Sequence, residues 1–199
     1  MSKVIVCNMV SLDGYFAGPD GNPPLAAMDA FFDAYNLERI TAADAVLLGR
    51  TSYQGFGDYW PRIADAPDDP ADRSLDEVNR GISRRWNEAP KAVVTDSYRV
   101  PDDHPWRDTT TVVPRDGVAA WIASVTESGA DEIVIFGSHV LWNALLAQGL
   151  VDELHLMVAP ITYGSGTPAF ASPATFTLAE TRTQPGSANT LLVYTTPSP

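Results

Sequence analysis

Three turns that carry glycine, hydroxyl or basic residues follow apolar runs typical of buried strands. One of them, Gly137-Ser138, follows the run 133–136, and a pattern of helical period begins directly after it. The first N–H groups of a helix are unpaired and partly positive, and a glycine lets a ligand approach the backbone. This order predicts a phosphate or pyrophosphate site, although an ordinary strand–turn–helix unit explains the Gly-Ser pair equally well.

The second turn, Gly49-Arg50-Thr51-Ser52, combines a glycine with an arginine and two hydroxyls after the run 45–48. Arginine offers a planar fork of donors that suits phosphate, and the hydroxyls can cap a helix while donating to an anion. The third turn, Thr95-Asp96-Ser97, follows the run 91–94. A further glycine turn, at Gly14, follows the first apolar run. Ligands of open α/β sheets bind beyond the carboxyl ends of strands, so we expect these four turns to build one site if they lie at one edge of the sheet.

Several acidic side chains are candidates for proton chemistry or substrate binding, each with a structural alternative. Ser11 and Asp13 follow the first apolar run, where Asp13 is otherwise a turn-forming aspartate. Asp29 and Asp33 lie four residues apart on a predicted helix over residues 27–42 and form either an acid pair or a solvated face.

The sequence lacks the residues that several other kinds of catalysis require. His104, His139 and His155 are scattered, and no His, Cys or carboxylate cluster has metal-ligand spacing, so we expect no metal. There is no nucleophile elbow and no Walker-type lysine. His155 is expected to be structural, whereas His139, in the first turn of its helix, is a candidate ligand contact. The remaining option is chemistry carried by a bound cofactor, such as hydride transfer.

Composition sets the class of protein. The length of 199 residues favours a single domain over residues 1–199, and the net charge of -12 argues against a nucleic-acid or anionic membrane surface. Cys7 is the only cysteine, no stretch is long enough to cross a bilayer and no signal peptide is evident. We therefore expect a cytoplasmic protein.

Strand and helix patterns alternate along the chain and end in a hairpin around Pro185-Gly186, which predicts an α/β fold. Its sheet is expected to be mixed and mostly parallel, with an antiparallel C-terminal edge. Residues 55–60 are expected to be loop, with Tyr59-Trp60-Pro61 a flap over a pocket. Residues 64–72 are expected to be an exposed acidic loop, and Arg80, Arg84 and Arg85 ordinary solvated charges.

The joint order of six motifs resembles the dihydrofolate-reductase-like family. The closest similarity is to the branch containing the C-terminal reductase domain of the bifunctional riboflavin-biosynthesis deaminase/reductase, and it covers roughly residues 3 to 195. The motifs are Ser11-Leu12-Asp13-Gly14, Leu48-Gly49-Arg50-Thr51-Ser52-Tyr53, Lys91-Ala92-Val93-Val94-Thr95, Phe136-Gly137-Ser138, Gly149-Leu150-Val151-Asp152-Glu153-Leu154 and the run from Pro160 to Gly166.

The resemblance implies a three-layer α/β/α domain without a deaminase domain, an NADPH site and a homodimer that binds a small-molecule substrate. It implies that Ser11 and Asp13 face the nicotinamide and substrate, with Trp60 and Tyr163 lining the pocket and Asp29 or Asp33 a candidate substrate acid. The implied cofactor-binding residues are Gly49, Arg50, Thr51, Ser52, Thr95, Asp96, Ser97, Phe136, Gly137, Ser138, His139, Val140 and Leu141.

Three functional hypotheses follow from the resemblance. The first is an NADPH-dependent reductase of a pyrimidine- or pterin-like compound, with 5-amino-6-(5-phosphoribosylamino)uracil as the reference substrate. The second is a dihydrofolate or pteridine reductase, and the third is a non-catalytic dinucleotide-binding module. Asp96 would repel the 2′-phosphate of NADPH, which leaves NADH open as the cofactor.

Overall fold

The computed structural model describes residues 2–197, which form two compact units. The first unit contains Ser2 and residues 33–138, and the second contains residues 3–32 and 139–197. The predicted single domain over residues 1–199 stays a prediction, and residues 1, 198 and 199 lie outside the described part. No helix within residues 2–197 is long and apolar enough to cross a membrane.

Ten strands and five α-helices alternate along much of the described chain. The strands are β1 (Lys3–Ser11), β2 (Tyr15–Ala17), β3 (Ala45–Gly49), β4 (Lys91–Val94), β5 (Thr110–Val113), β6 (Glu132–Phe136), β7 (Glu153–Ala159), β8 (Thr167–Pro168), β9 (Thr177–Thr183) and β10 (Thr190–Thr195). The helices are α1 (Ala30–Ala42), α2 (Arg50–Tyr59), α3 (Glu77–Glu88), α4 (Val118–Glu127) and α5 (His139–Ala147).

Four parallel strands form the sheet of the first unit, in the order β5-β4-β3-β6. The central strands read as continuous apolar runs because both of their faces are covered, and Val46, Leu47 and Leu48 are fully buried. In register, Gly49 pairs with Val94, and Val46 pairs with Val134. The carboxyl ends of these strands therefore lie at one edge of the sheet.

The sheet of the second unit is mixed, in the order β1-β7-β10-β9. Strand β1 pairs in parallel with β7, while β10 runs antiparallel to both β7 and β9. Short strands β2 and β8 form a separate antiparallel pair. The predicted mostly parallel α/β fold with an antiparallel C-terminal edge is thus confirmed.

The prediction of a loop over residues 55–60 is wrong, because α2 continues from Arg50 to Tyr59 and Trp60 opens a short 3-10 helix. Helix propensity alone does not predict α2, because it contains Gly55 and Gly57 and glycine disfavours helix formation. The helix is stabilised by packing instead, since Tyr53 is fully buried and a Cβ at Gly57 would lie 2.8 Å from Nε2 of His104. Helix α1 starts three residues later than predicted, at Ala30.

Arg80 is a buried anchor of the acidic loop, which corrects the prediction that it is an ordinary solvated charge. Its guanidinium donates to four backbone carbonyl oxygens, those of Leu75, Ile63, Ala64 and Ala66, and pairs with Asp68 at 2.8 Å. The residue is only 7% exposed. The loop itself is mostly exposed, as predicted, and Arg80 is its main buried side-chain contact, beside the bond from the N–H of Ala64 to Ser83.

We predict that Arg80→Lys lowers the free energy of unfolding by about 2–4 kcal/mol, because an ammonium cannot replace five donors in a fork and leaves buried carbonyls unpaired. Urea unfolding measures the loss. Arg84→Lys is the matched control, since the Arg84 side chain is half exposed and pairs only with exposed Glu77; it should change stability by no more than about 0.5 kcal/mol. Equal midpoints for the two variants would contradict the anchoring role.

Candidate functional site

Three of the four turns that were predicted to build one site follow three neighbouring parallel strands of the first unit. Gly49 ends β3, Thr95 comes directly after β4, and Gly137 comes directly after β6. Since β3 lies between β4 and β6, all three turns lie at the carboxyl edge of the same sheet. This is the arrangement in which open α/β sheets bind ligands.

Two hydrogen bonds join the turn after β6 to the turn after β3. The backbone N–H of Gly49 donates to Oγ of Ser138 over 3.0 Å, and the N–H of Ser138 donates to Oγ of Ser52 over 2.8 Å. Gly137 and Ser138 both adopt left-handed conformations, with φ of 57° and 52°. A non-glycine residue in this region is strained and needs support from its surroundings, which these two bonds supply.

The start of α2 has features of an anion site. Its N-cap, Gly49, makes no side-chain capping bond, so the first helical N–H groups are not satisfied from that source. Arg50 and Thr51 are exposed there. The guanidinium of Arg50 lies 5.3 Å from the centre of the Tyr98 ring, and its Nε donates to Gln54. The arginine is therefore held at the helix start with donors left over.

The turn after β4 is organised by Thr95 and Asp96. The buried Thr95 hydroxyl accepts from the N–H groups of Ser97 and Tyr98. Asp96 accepts from the backbone N–H of Arg115 and lies 3.4 Å from its guanidinium. The sequence interpretation missed both Tyr98 and Arg115; their position just beyond the ends of β4 and β5 was the signal available.

The residues around α5 differ in what they offer to a ligand. The Phe136 residue is buried, and its ring packs against Trp86 with ring centres 5.4 Å apart. His139 uses Nε2 to bond the carbonyl oxygens of Pro168 and Ala169 and packs on Phe16. Val140 is 82% exposed and Leu141 is partly exposed. Within α5, Val140 is therefore the most accessible of the three predicted contacts.

The second unit brings Ser11, Asp13 and Tyr163 together, because Ser11 pairs with Ala159 at the ends of the parallel strands β1 and β7. The Asp13 carboxylate accepts from the Ser11 hydroxyl at 2.6 Å, from the N–H of Gly164 at 2.7 Å and from the N–H of Tyr163 at 3.1 Å. These bonds, chiefly that from Ser11, hold the pKa of Asp13 below its ordinary value. Asp13 is thus kept ionised.

Asp29 and Asp33 are each engaged in structure. Asp29 caps α1 by accepting from the N–H groups of Phe31 and Phe32, and it accepts from the Ser187 hydroxyl at 2.6 Å. Burial raises the pKa of Asp29, but these hydrogen bonds outweigh it and lower the pKa overall. In the first unit, the buried Asp33 pairs with Arg73 and accepts from Asn79. Neither the acid pair nor the solvated face is observed.

Trp60 and Tyr163 were predicted to line the substrate pocket. Trp60, in the first unit, is partly exposed and packs edge-on against Tyr59. Tyr163, in the second unit, is partly exposed and sits against Gly18, where an added Cβ would lie 2.8 Å from its ring.

His155 is buried and bonds Glu153 at 2.9 Å. Among residues 2–197, no three His, Cys, Asp or Glu side chains form a group able to hold a metal.

Comparison with known families now adds to this geometry. The model of the RibD C-terminal domain matches residues 2–191. The chain belongs to the RibD C-terminal domain family. Membership of the family implies a reductase. No curated protein matches the chain.

Solved structures share the fold at low identity. A protein from Shewanella sp. PV-4, provisionally described as a riboflavin biosynthesis protein, superposes with a TM-score of 0.65 at 22% identity, over 98% of both chains. Acinetobacter baumannii RibD gives a TM-score of 0.70 at 16% identity, and a Thermotoga maritima deaminase/reductase gives 0.65 at 15%. Each covers 98% of this chain, which spans only 58% and 57% of theirs. These likenesses establish the RibD-type reductase fold.

We predict that Gly137→Ala lowers the free energy of unfolding by about 1–2 kcal/mol from the left-handed backbone alone. A further loss of roughly 0.5–1.5 kcal/mol is expected, because the new Cβ would lie 3.1 Å from Oγ of Ser52 and disturb its bond to Ser138. Gly149→Ala is the matched control, with φ of 69° and nothing within 4 Å of an added Cβ. Chemical unfolding of both variants should separate them; an equal loss would argue against the coupling of the two turns.

Proposed function

We propose that this protein is an NADPH-dependent reductase of a pyrimidine- or pterin-like compound, similar to 5-amino-6-(5-phosphoribosylamino)uracil reductase. The single observation that carries the proposal is the pair of hydrogen bonds joining Ser138 to Gly49 and Ser52. They couple a left-handed glycine turn to an uncapped helix start, which together suit a pyrophosphate. Membership of the RibD C-terminal domain family supports the reductase class.

The residues of the first unit fit a dinucleotide. Arg50 and the N–H groups at the start of α2 would hold phosphate, and the hydroxyls of Ser52 and Ser138 each still have a hydrogen to donate after accepting a backbone N–H. Thr95 and Ser97 would lie near the adenosine ribose. The nicotinamide, when bound, supplies a hydride to a C=N or to the carbon of an opened sugar.

The choice between NADPH and NADH depends on Asp96 and Arg115. Asp96 taken alone would repel a 2′-phosphate, but its carboxylate is engaged by Arg115. The Arg115 side chain is 81% exposed, so a guanidinium of the kind that suits phosphate lies beside Asp96. This pairing removes the main objection to NADPH, so we place NADPH first and keep NADH as the alternative.

On the substrate side, Ser11 and Asp13 would position the substrate. The pKa of Asp13 lies below its ordinary value, and the carboxylate already accepts from three donors, one hydroxyl and two backbone N–H groups. Such a group orients a substrate donor better than it supplies a proton at neutral pH. The proposed role of Asp13 is therefore to position the substrate rather than to relay a proton.

We further propose that the protein is a cytoplasmic homodimer. Its partner is a small-molecule substrate rather than a nucleic acid or a membrane. The resemblance supports the dimer, and the net charge of -12 disfavours polyanionic partners. Light scattering at micromolar concentration tests the dimer directly, with a mass of 21.5 kDa contradicting it.

We predict that Arg50→Ala weakens NADPH binding by about 1–3 kcal/mol, or about 5- to 150-fold in Kd, because a charged hydrogen-bond partner of the phosphates is lost. Isothermal titration measures the change. Arg84→Ala removes the same charge from a half-exposed side chain on α3 and should leave Kd within about twofold. An unchanged Kd in Arg50→Ala would place Arg50 outside the cofactor site.

Turnover decides between the functional alternatives. Loss of nicotinamide absorbance with a ribosylaminopyrimidine supports the proposed reductase, whereas loss only with dihydrofolate or a pteridine supports the second hypothesis. Tight NADPH binding without turnover of any of these compounds would favour a non-catalytic module. Absence of binding by both NADPH and NADH would overturn the proposal as a whole.

A further inference from the structure

The turn that carries Asp13 in the second unit is held from two sides by the β8 segment, residues 163–171. On one side, the Asp13 carboxylate accepts from two backbone N–H groups of this segment, at 2.7 and 3.1 Å. On the other side, the N–H of Ala169 donates to the carbonyl oxygen of Gly14 over 2.9 Å. The position of Asp13 therefore depends on the course of the β8 segment.

The short strands β2 and β8 approach each other closely. Tyr15 pairs with Pro168. Gly166, just before β8, has a φ of 133°, and an added Cβ there would collide with the carbonyl oxygen of Ala17. Because close-packed parts of a protein transmit a displacement rather than absorb it, a shift of β8 would be passed to β2 and to the turn before it.

His139, the first residue of α5, holds the β8 segment through its ring. Its Nε2 lies 2.8 Å from the carbonyl oxygen of Pro168 and 3.1 Å from that of Ala169. Carbonyl oxygens only accept hydrogen bonds, so Nε2 carries a hydrogen and shares it between the two. The ring also packs on Phe16 of β2, with ring centres 4.9 Å apart. One side chain thus contacts both short strands.

Asn143, one turn further along α5, adds a second attachment. Its Nδ2 donates to the carbonyl oxygen of Ala169 over 3.1 Å, and its Oδ1 accepts from the N–H of Ala171 over 2.8 Å. The same Nδ2 donates to the carbonyl oxygen of His139 over 3.0 Å. The first turns of α5 are therefore tied by side chains to Pro168, Ala169 and Ala171.

We propose that His139 is a positioning residue, which fixes the turn that presents Asp13 to the substrate by holding β8 and, through it, Gly14. The proposal rests on the reductase function proposed above. It gives His139 a different role from the cofactor contact that the family resemblance implied. The hydrogen on Nε2 is already shared by two carbonyl oxygens, so it is not free for a phosphate. Loss of this hydrogen should affect the substrate rather than the cofactor.

Two substitutions of His139 separate its donor from its ring. His139→Phe keeps a ring against Phe16 and removes the donor, whereas His139→Gln keeps an N–H donor and removes the ring. NMR of the Asp13 carboxyl carbon in the intact protein follows the pKa of that group. We expect the pKa to rise in His139→Phe, because the N–H bonds that favour the carboxylate are loosened, and to be restored in His139→Gln. Gln148→Ala, an exposed site near the other end of α5, is the control and should leave the pKa unchanged.

Steady-state kinetics with NADPH and 5-amino-6-(5-phosphoribosylamino)uracil give a second readout. We expect His139→Phe to raise KM about tenfold while kcat stays within about threefold, because a contact made equally in the ground state and the transition state is weakened. The Kd of NADPH, measured by isothermal titration, should also stay within about threefold. His139→Gln should restore KM to within about threefold of the unmodified protein.

An unchanged pKa of Asp13 in His139→Phe would overturn the proposal. A rise that His139→Gln does not reverse would overturn it as well, since the ring and not the donor would then matter. Weaker NADPH binding with an unchanged KM would instead make His139 a cofactor contact. Should His139→Phe not fold by circular dichroism, Asn143→Ala removes the neighbouring attachment and must raise the pKa of Asp13 in its place. The titration needs neither cofactor nor substrate, so absence of NADPH binding would overturn the proposed function and leave this test intact.

Discussion

The two hydrogen bonds between Ser138 and the β3–α2 turn constrain the carboxyl edge of the first unit. They support the left-handed conformation of Ser138, which is not a glycine and is strained there. With them, the start of α2 and the turn that leads into α5 are fixed to each other although they lie 86 residues apart in sequence. A dinucleotide site needs such coupling, because its phosphates must meet donors from more than one segment at fixed spacing.

The class of fold and the three turns could be predicted because they depend on local signals. Buried parallel strands appear as continuous apolar runs, and a glycine at a strand end marks where the chain turns. Helix α2 could not be predicted in the same way, because its two glycines oppose helix formation and its stability comes from packing at Tyr53 and Gly57. The residue against which Gly57 packs, His104, lies some fifty positions away in the sequence, so no local pattern reveals the contact.

Charged residues were the hardest to interpret, and the reason is physical. An arginine or an acidic residue looks the same in a sequence whether its side chain faces water or makes hydrogen bonds and ion pairs inside the protein. Arg80 proved to anchor a loop, Asp29 to cap a helix, and Asp96 to engage Arg115. In each case the role of the charged residue is set by its bonding partner, which is either a backbone group or a side chain from another segment. The periodicity of the sequence does not reveal that partner. The prediction that the turns at Gly49, Thr95 and Gly137 lie at one edge of the sheet was therefore better than the prediction of what each charge does.

The two edges of the first-unit sheet differ in how they treat positive charge. At the carboxyl edge, Arg50 and Arg115 are exposed and keep their donors available. At the amino edge, Lys91 is buried beside Arg85, so its pKa falls to about 7 from 10.5. Between these values the unfolded chain binds a proton that the folded chain does not, so the penalty on folding is complete below pH 7 and fades as the pH rises. Burial and Arg85 thus disfavour positive charge at the amino edge, whereas solvent accommodates it at the carboxyl edge.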